Sequence, residues 1–155
     1  MNIQEKLKKY QLTLPAVPGK GGTYSPVKEF GTNLIYLSGC GPNIDGGEKF
    51  AGKVGAEYTL EEGKRAAVMT VLNVLAVLQD NLGDLSKVKR IVKTLCFVAS
   101  TNDFYQQPEV ANAASELLVD IFGEEVGLAA RSAIGVNVLP GNIPFEIELV
   151  IELHE

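Results

Sequence analysis

Residues 129–153 read AARSAIGVNVLPGNIPFEIELVIEL. Two runs of β-branched and alternating residues, Ala130–Val138 and Ile143–Leu153, flank Leu139-Pro140-Gly141-Asn142, and this turn chemistry predicts an antiparallel hairpin. Strand side chains alternate between faces, so Ile134, Val136 and Val138 fall on one side with Ile143, Phe145, Ile147 and Leu149. The hairpin register then puts Arg131, Ala133, Gly135 and Asn137 on the other side with Glu146, Glu148 and Val150. A permanent charge among very small residues makes a poor solvent surface and a better cavity wall. An ordinary cross-strand ion pair between Arg131 and Glu146 or Glu148 is the plainer alternative.

The remaining elements lead up to this hairpin. Ile3, Leu7 and Tyr10 sit at helical spacing and predict a short amphipathic helix over about residues 1–12, ended by Pro15, Pro18 and the glycines that follow. Tyr24–Phe30 reads as a strand whose Pro26 confines it to an edge or a bulge, and Gly31-Thr32-Asn33 turns it into a second strand, Leu34–Ser38. After the glycine-rich loop Gly39–Gly55, Thr59 and Glu62 form a capping box for a long apolar helix through Asn81, stopped by Gly83. Val88–Ala99 reads as a central strand. Val110, Ala113, Ala114, Leu117, Leu118, Ile121 and Phe122 mark a second helix that ends at Gly123. The order β-β-α-β-α-β-β predicts one α+β domain over residues 1–155, a two-layer fold with two helices on one face of a mixed sheet and the other face bare.

Composition narrows the chemistry. The chain has 155 residues, 46% of them hydrophobic and 21% charged, the balance of an ordinary globular domain. Its start is too charged for a secretory signal and its apolar runs are too short to span a bilayer, so the chain reads as cytoplasmic. A net charge of −5 argues against a phosphate-backbone binder. Cys40 and Cys96 lack zinc-ligand spacing and read as reduced thiols, with Cys40 a small filler rather than a nucleophile. The single histidine, His154, lies next to the C-terminus, which removes histidine triads and histidine-rich metal sites. Gly19-Lys-Gly-Gly-Thr23 lacks the spacing of a phosphate loop and runs into a strand. Any reaction has to use carboxylates, Arg, Lys, Tyr, Ser, Cys, backbone groups and water, with neither metal nor cofactor expected.

Arg131-Ser-Ala-Ile-Gly-Val-Asn-Val-Leu-Pro-Gly141 followed by Phe145-Glu-Ile-Glu148 resembles the C-terminal signature of the YjgF/Rid family of enamine/imine deaminases, also labelled endoribonuclease L-PSP. Supporting matches run through Gly22-Thr-Tyr24-Ser, Asn33–Gly39, Val92-Lys-Thr94, Phe97-Val98, Asn102-Asp-Phe104 and Asn112-Ala113. The resemblance implies a chorismate-mutase-like fold and a homotrimer with clefts between subunits. It implies that Arg131 binds the carboxylate of a 2-imino acid, that Glu146 positions or activates the hydrolytic water, and that Tyr24, Ser38, Gly39 and Asn112 line or support the cleft. The chain departs from the deaminase pattern at Gly135, Ala133, Cys40 and Ala130 and carries extra residues, Tyr105-Gln-Gln-Pro108. Two activities therefore compete: hydrolytic deamination of small imino acids, and non-catalytic binding of small carboxylates by a regulatory trimer. The third, an endoribonuclease, fits the acidic balance least.

Overall fold

The computed structural model describes residues 1–155. Five strands form one mixed sheet: β1 (Val27–Phe30), β2 (Leu34–Cys40), β3 (Val88–Ala99), β4 (Ala130–Val136) and β5 (Phe145–Leu153), in the order β1-β2-β5-β3-β4. Helices α1 (Ile3–Lys9), α2 (Leu60–Leu82), α3 (Gln107–Phe122) and the single turn α4 (Glu124–Gly127) complete the chain. The two-layer α+β architecture is as expected.

Local chemistry explains the boundaries. The Thr59 hydroxyl accepts from the Glu62 N–H and the Glu62 carboxylate accepts from the Thr59 N–H, a reciprocal cap that opens α2. Gly83 closes it in the left-handed region at φ 77°. α1 has its own capping box, Asn2 with Glu5. β1 begins at Val27, later than expected, directly after Pro26, and it is an edge strand.

The core is one cluster of 28 buried residues. Ile35 and Leu37 of β2, Cys96 and Val98 of β3, and Phe145, Ile147, Leu149 and Ile151 of β5 meet the apolar faces of α2 and α3 there. Each large side chain buried this fully contributes about 1.5–3 kcal/mol relative to exposure. The opposite sheet face is uncovered and leaves Phe30, Tyr36 and Ile134 each more than 40% exposed.

The hairpin is the expectation that fails. β4 does not pair with β5; it runs parallel to β3 as the far edge, and β5 lies in the middle of the sheet between β2 and β3. The segment β3-α3-β4 is a strand-helix-strand crossover, and residues 137–144 reverse the chain past the end of β3 rather than folding it back onto β4. Pro140–Asn142 is a short 3₁₀ turn within that passage. The faces change accordingly. Arg131 pairs with Thr94, which pairs with Leu149, so Arg131, Ala133 and Gly135 lie on the helix side. Glu146 pairs with Phe97, which pairs with Ile134, so Glu146 and Glu148 lie on the bare side with Ser132 and Ile134. Local turn propensity could not reveal this, because a proline-glycine turn serves a crossing loop as well as a hairpin.

Candidate functional site

The sequence-derived site residues form two groups rather than one. Arg131 projects from the sheet edge toward α3, where its Nη1 donates to Asn112 Oδ1 at 2.8 Å and to Ser115 Oγ at 3.2 Å. Both acceptors are neutral, and the side chain makes no ion pair; the cross-strand pair with Glu146 or Glu148 does not form. Its Nη2 and Nε have no partner in the chain. The group borders an open groove of about 630 Å³ between α3 and the chain entering β4, with Glu116, Val119, Asp120, Leu128 and Ala129 farther along. A guanidinium oriented by neutral acceptors keeps its charge and part of its donor fork for an incoming anion.

The second group gathers on the bare face at the end of β2. Tyr24, Ser38, Gly39 and Glu146 share an open cavity of about 370 Å³ with Gly21, Gly41, Pro140 and Ile143. Tyr24 Oη accepts from the Gly21 N–H at 3.1 Å, which leaves the phenolic proton free to be donated. Ser38 Oγ donates to the Ser25 carbonyl at 2.6 Å. The Glu146 carboxylate has no hydrogen-bond donor in the chain and packs on Gly39, where a Cβ would overlap it. Burial, and secondarily the charge of Glu148, holds its proton more tightly than an ordinary glutamate does. Glu148 is engaged elsewhere, accepting from Tyr36 Oη at 2.7 Å.

Burial pushes the Cys40 thiol up to about 12, with Glu146 adding to the effect, so it is a neutral filler, as its sequence context implies. Ser115 joins the Arg131 group and Gly41 the Glu146 cavity, two residues that no sequence motif marks. Ser115 lies one helical turn beyond Asn112, a spacing that could have found it. The departures at the sheet edge also acquire a cause. The Gln107 amide, at the first residue of α3, fills the space over Gly135, donating to Ser100 Oγ and to the Phe104 carbonyl.

The two groups cannot close on one small ligand within a chain. They lie on opposite faces of the sheet, on strands separated by β3, and neighbouring strands stand about 4.8 Å apart. No group of three or more His, Cys, Asp or Glu side chains is placed to hold a metal ion, and no helix is long and apolar enough to cross a membrane.

Fold and geometry define a class: an α+β domain of the chorismate-mutase-like kind that presents an unpaired arginine and a half-buried carboxylate on separate surfaces. The chain belongs to the YjgF/chorismate mutase-like endoribonuclease family, whose model matches residues 4–153. It is 39% identical over 152 residues to Protein TCP17 of Trypanosoma cruzi, covering 98% of this chain and 94% of that one. It is 29% identical over 144 residues to a 2-iminobutanoate/2-iminopropanoate deaminase of Dermatophagoides farinae, covering 92% and 95%. Among solved structures it resembles Atu1372 of Agrobacterium tumefaciens, a protein of unknown function, at 37% identity and a TM-score of 0.89, over 98% of this chain and 92% of that one.

Proposed function

We propose that the chain is a cofactor-independent deaminase of small 2-imino acids, acting as a homotrimer whose clefts join the Arg131 half-site of one subunit to the Glu146 half-site of the next. The observation that carries this reading is the Arg131 guanidinium, oriented by Asn112 and Ser115, unpaired with any carboxylate and facing an open groove. The deaminase among its relatives supports the reaction class.

The chemistry asks little of the protein beyond placement. Arg131 holds the substrate carboxylate, which leaves the adjacent C=N carbon facing the neighbouring Glu146. Glu146 takes a proton from water as the water oxygen bonds to that carbon and returns it to the imine nitrogen, giving a tetrahedral amino alcohol. Glu146 then takes the hydroxyl proton and delivers it to the amine nitrogen as the carbonyl forms and the C–N bond breaks, releasing a 2-keto acid and ammonia. A carboxylate with a tightened proton affinity and no internal donors suits this relay. The Tyr24 phenol can donate to the nitrogen or oxygen of the intermediate.

A second reading, a trimer that binds small carboxylates without turnover, draws on Gly135, a departure from the deaminase pattern whose side-chain space the Gln107 amide occupies. One experiment separates the two. Imino acids of three and four carbons are generated in situ with an amino-acid oxidase, and their loss and ammonia release are followed with and without the protein. Accelerated ammonia release is expected; carboxylate binding without acceleration would favour the second reading.

A further inference from the structure

Helix α2 is buried continuously from Val71 to Leu78, and one side chain in that run is not apolar. Asn73 is 1% exposed. Its Nδ2 donates to the Gly41 carbonyl at 2.8 Å and to the Asn43 carbonyl at 3.0 Å, while its Oδ1 is buried without a partner. A leucine would have similar bulk and no unpaired acceptor to desolvate, so core packing alone does not account for an asparagine here. Thr70, the neighbouring buried polar residue of α2, differs in that its hydroxyl is satisfied by the Ala66 carbonyl of the preceding turn.

The two carbonyls lie where the sheet stops holding the chain. The β2–β5 ladder shifts register between Leu37 and Cys40 and ends with the Cys40–Ile147 pair, so strand pairing does not fix Gly41–Asn43 beyond it. Asn73 fixes them instead, from the helix side. Asn43 passes the restraint on, its Oδ1 accepting from the Phe50 N–H at 2.6 Å and its Nδ2 donating to the Phe50 carbonyl at 3.3 Å. Gly41 is the link to the cavity, because its other side lines the space shared by Ser38, Gly39 and Glu146. That wall has little slack: a Cβ on Gly39 would overlap the Glu146 carboxylate, and one on Gly41 would overlap Ile143.

We propose that Asn73 is a positioning residue of the candidate site, its amide anchoring Gly41–Asn43 and thereby the wall against which the Glu146 carboxylate stands. This rests on the reading of Glu146 as the group that handles water, and two readouts keep the ideas separable. The variant is Asn73→Leu, with Asn73→Ala beside it in case the leucine overpacks. The first readout is the titration of Glu146, followed through its side-chain carboxyl carbon by NMR, which needs no turnover. Glu146 faces Glu148 along its own strand, Cys40 from β2 and the Tyr24 phenol across the cavity. With the wall released, its midpoint should fall toward that of an ordinary glutamate. The second readout is steady-state imine hydrolysis: kcat should drop about tenfold or more, as for a misplaced reacting group, while KM changes less than about twofold because α3 still holds Arg131. A folded variant with unchanged Glu146 titration would overturn the proposal, as would failure of both variants to fold, since Asn73 would then serve the core as a whole. Wild-type protein that shows the raised Glu146 titration without hydrolysing imines would defeat the deaminase reading instead, and the titration would still decide the role of Asn73.

Discussion

Arg131 owes its availability to what surrounds it: two neutral oxygens fix one of its nitrogens, and no carboxylate forms an ion pair with the rest. Lysine would keep the charge but lose the fork, so both Arg131→Lys and Arg131→Ala should weaken binding of pyruvate-like acids at least about tenfold, each lost charge-assisted hydrogen bond being worth about 1.5–3 kcal/mol. Calorimetric titration on the folded variants checks this, and retained affinity in Arg131→Ala would show the residue to be structural. Glu146 makes a pH prediction. A base must be ionised, and burial with the Glu148 charge raises the point at which ionisation occurs. Deamination should therefore rise with pH along a limb that lies above the ordinary glutamate range. Glu148→Gln should slide that limb downward by removing one of its causes, and Glu146→Gln should abolish it while carboxylates still bind. A limb unmoved in Glu148→Gln would assign the titration to another group. Cys40, with its thiol near 12, should resist iodoacetamide at pH 8 in the native protein and react once the chain is unfolded. Mass spectrometry of the two samples provides the comparison.

At the scale of elements, termini carry much of the specification. The Thr59–Glu62 box satisfies two otherwise orphaned N–H groups at the head of α2, and Thr59→Ala should cost about 1 kcal/mol in urea denaturation without altering ligand affinity. A loss confined to affinity would contradict this. Such caps are legible from sequence because they are local, as are the stripe of α3, the glycine stop at Gly83 and the inward alternation of β5 from Phe145 to Ile151. Which strand lies beside which is not local. Alternation in β4 was readable, but its face depends on its partner, and the partner is β3, reached through α3, not β5, reached through Pro140–Asn142. The grouping of the candidate site residues depends on that same strand order. Tyr24, Ser38, Gly39 and Glu146 do share a cavity, and Asn112 does reach Arg131, yet the two sets lie on opposite faces. The family resemblance points to the residues, and the strand order shows that the two sets lie on separate faces of one chain. Asn73 is not legible as an anchor because an asparagine inside an apolar helix has no sequence signature separating an anchor from a surface position.

For the whole molecule, two dissimilar patches that complement each other form a heterologous contact, and such contacts close into a ring when the rotation between copies allows it. The proposed trimer would also give a partner to the bare sheet face, where Phe30, Tyr36 and Ile134 stand exposed in the single chain. Light scattering should accordingly give about three times the 16.6 kDa of one chain. Mass alone does not show that the clefts are shared, but complementation does. Arg131→Ala subunits retain a working Glu146 half-site, and Glu146→Gln subunits retain a working Arg131 half-site. Neither homotrimer has an intact cleft. In trimers assembled from an equal mixture, a cleft is intact when its arginine comes from the second kind of subunit and its glutamate from the first, which random assembly provides in about one quarter of clefts. Co-refolding the two inactive variants should therefore restore imine hydrolysis to roughly a quarter of the wild-type rate, whereas mixing them without subunit exchange should restore none. If Arg131 and Glu146 served the same cleft from a single chain, every cleft in the mixture would carry one defect. Co-refolded trimers that remained inactive would then remove the shared-cleft arrangement, whatever their mass.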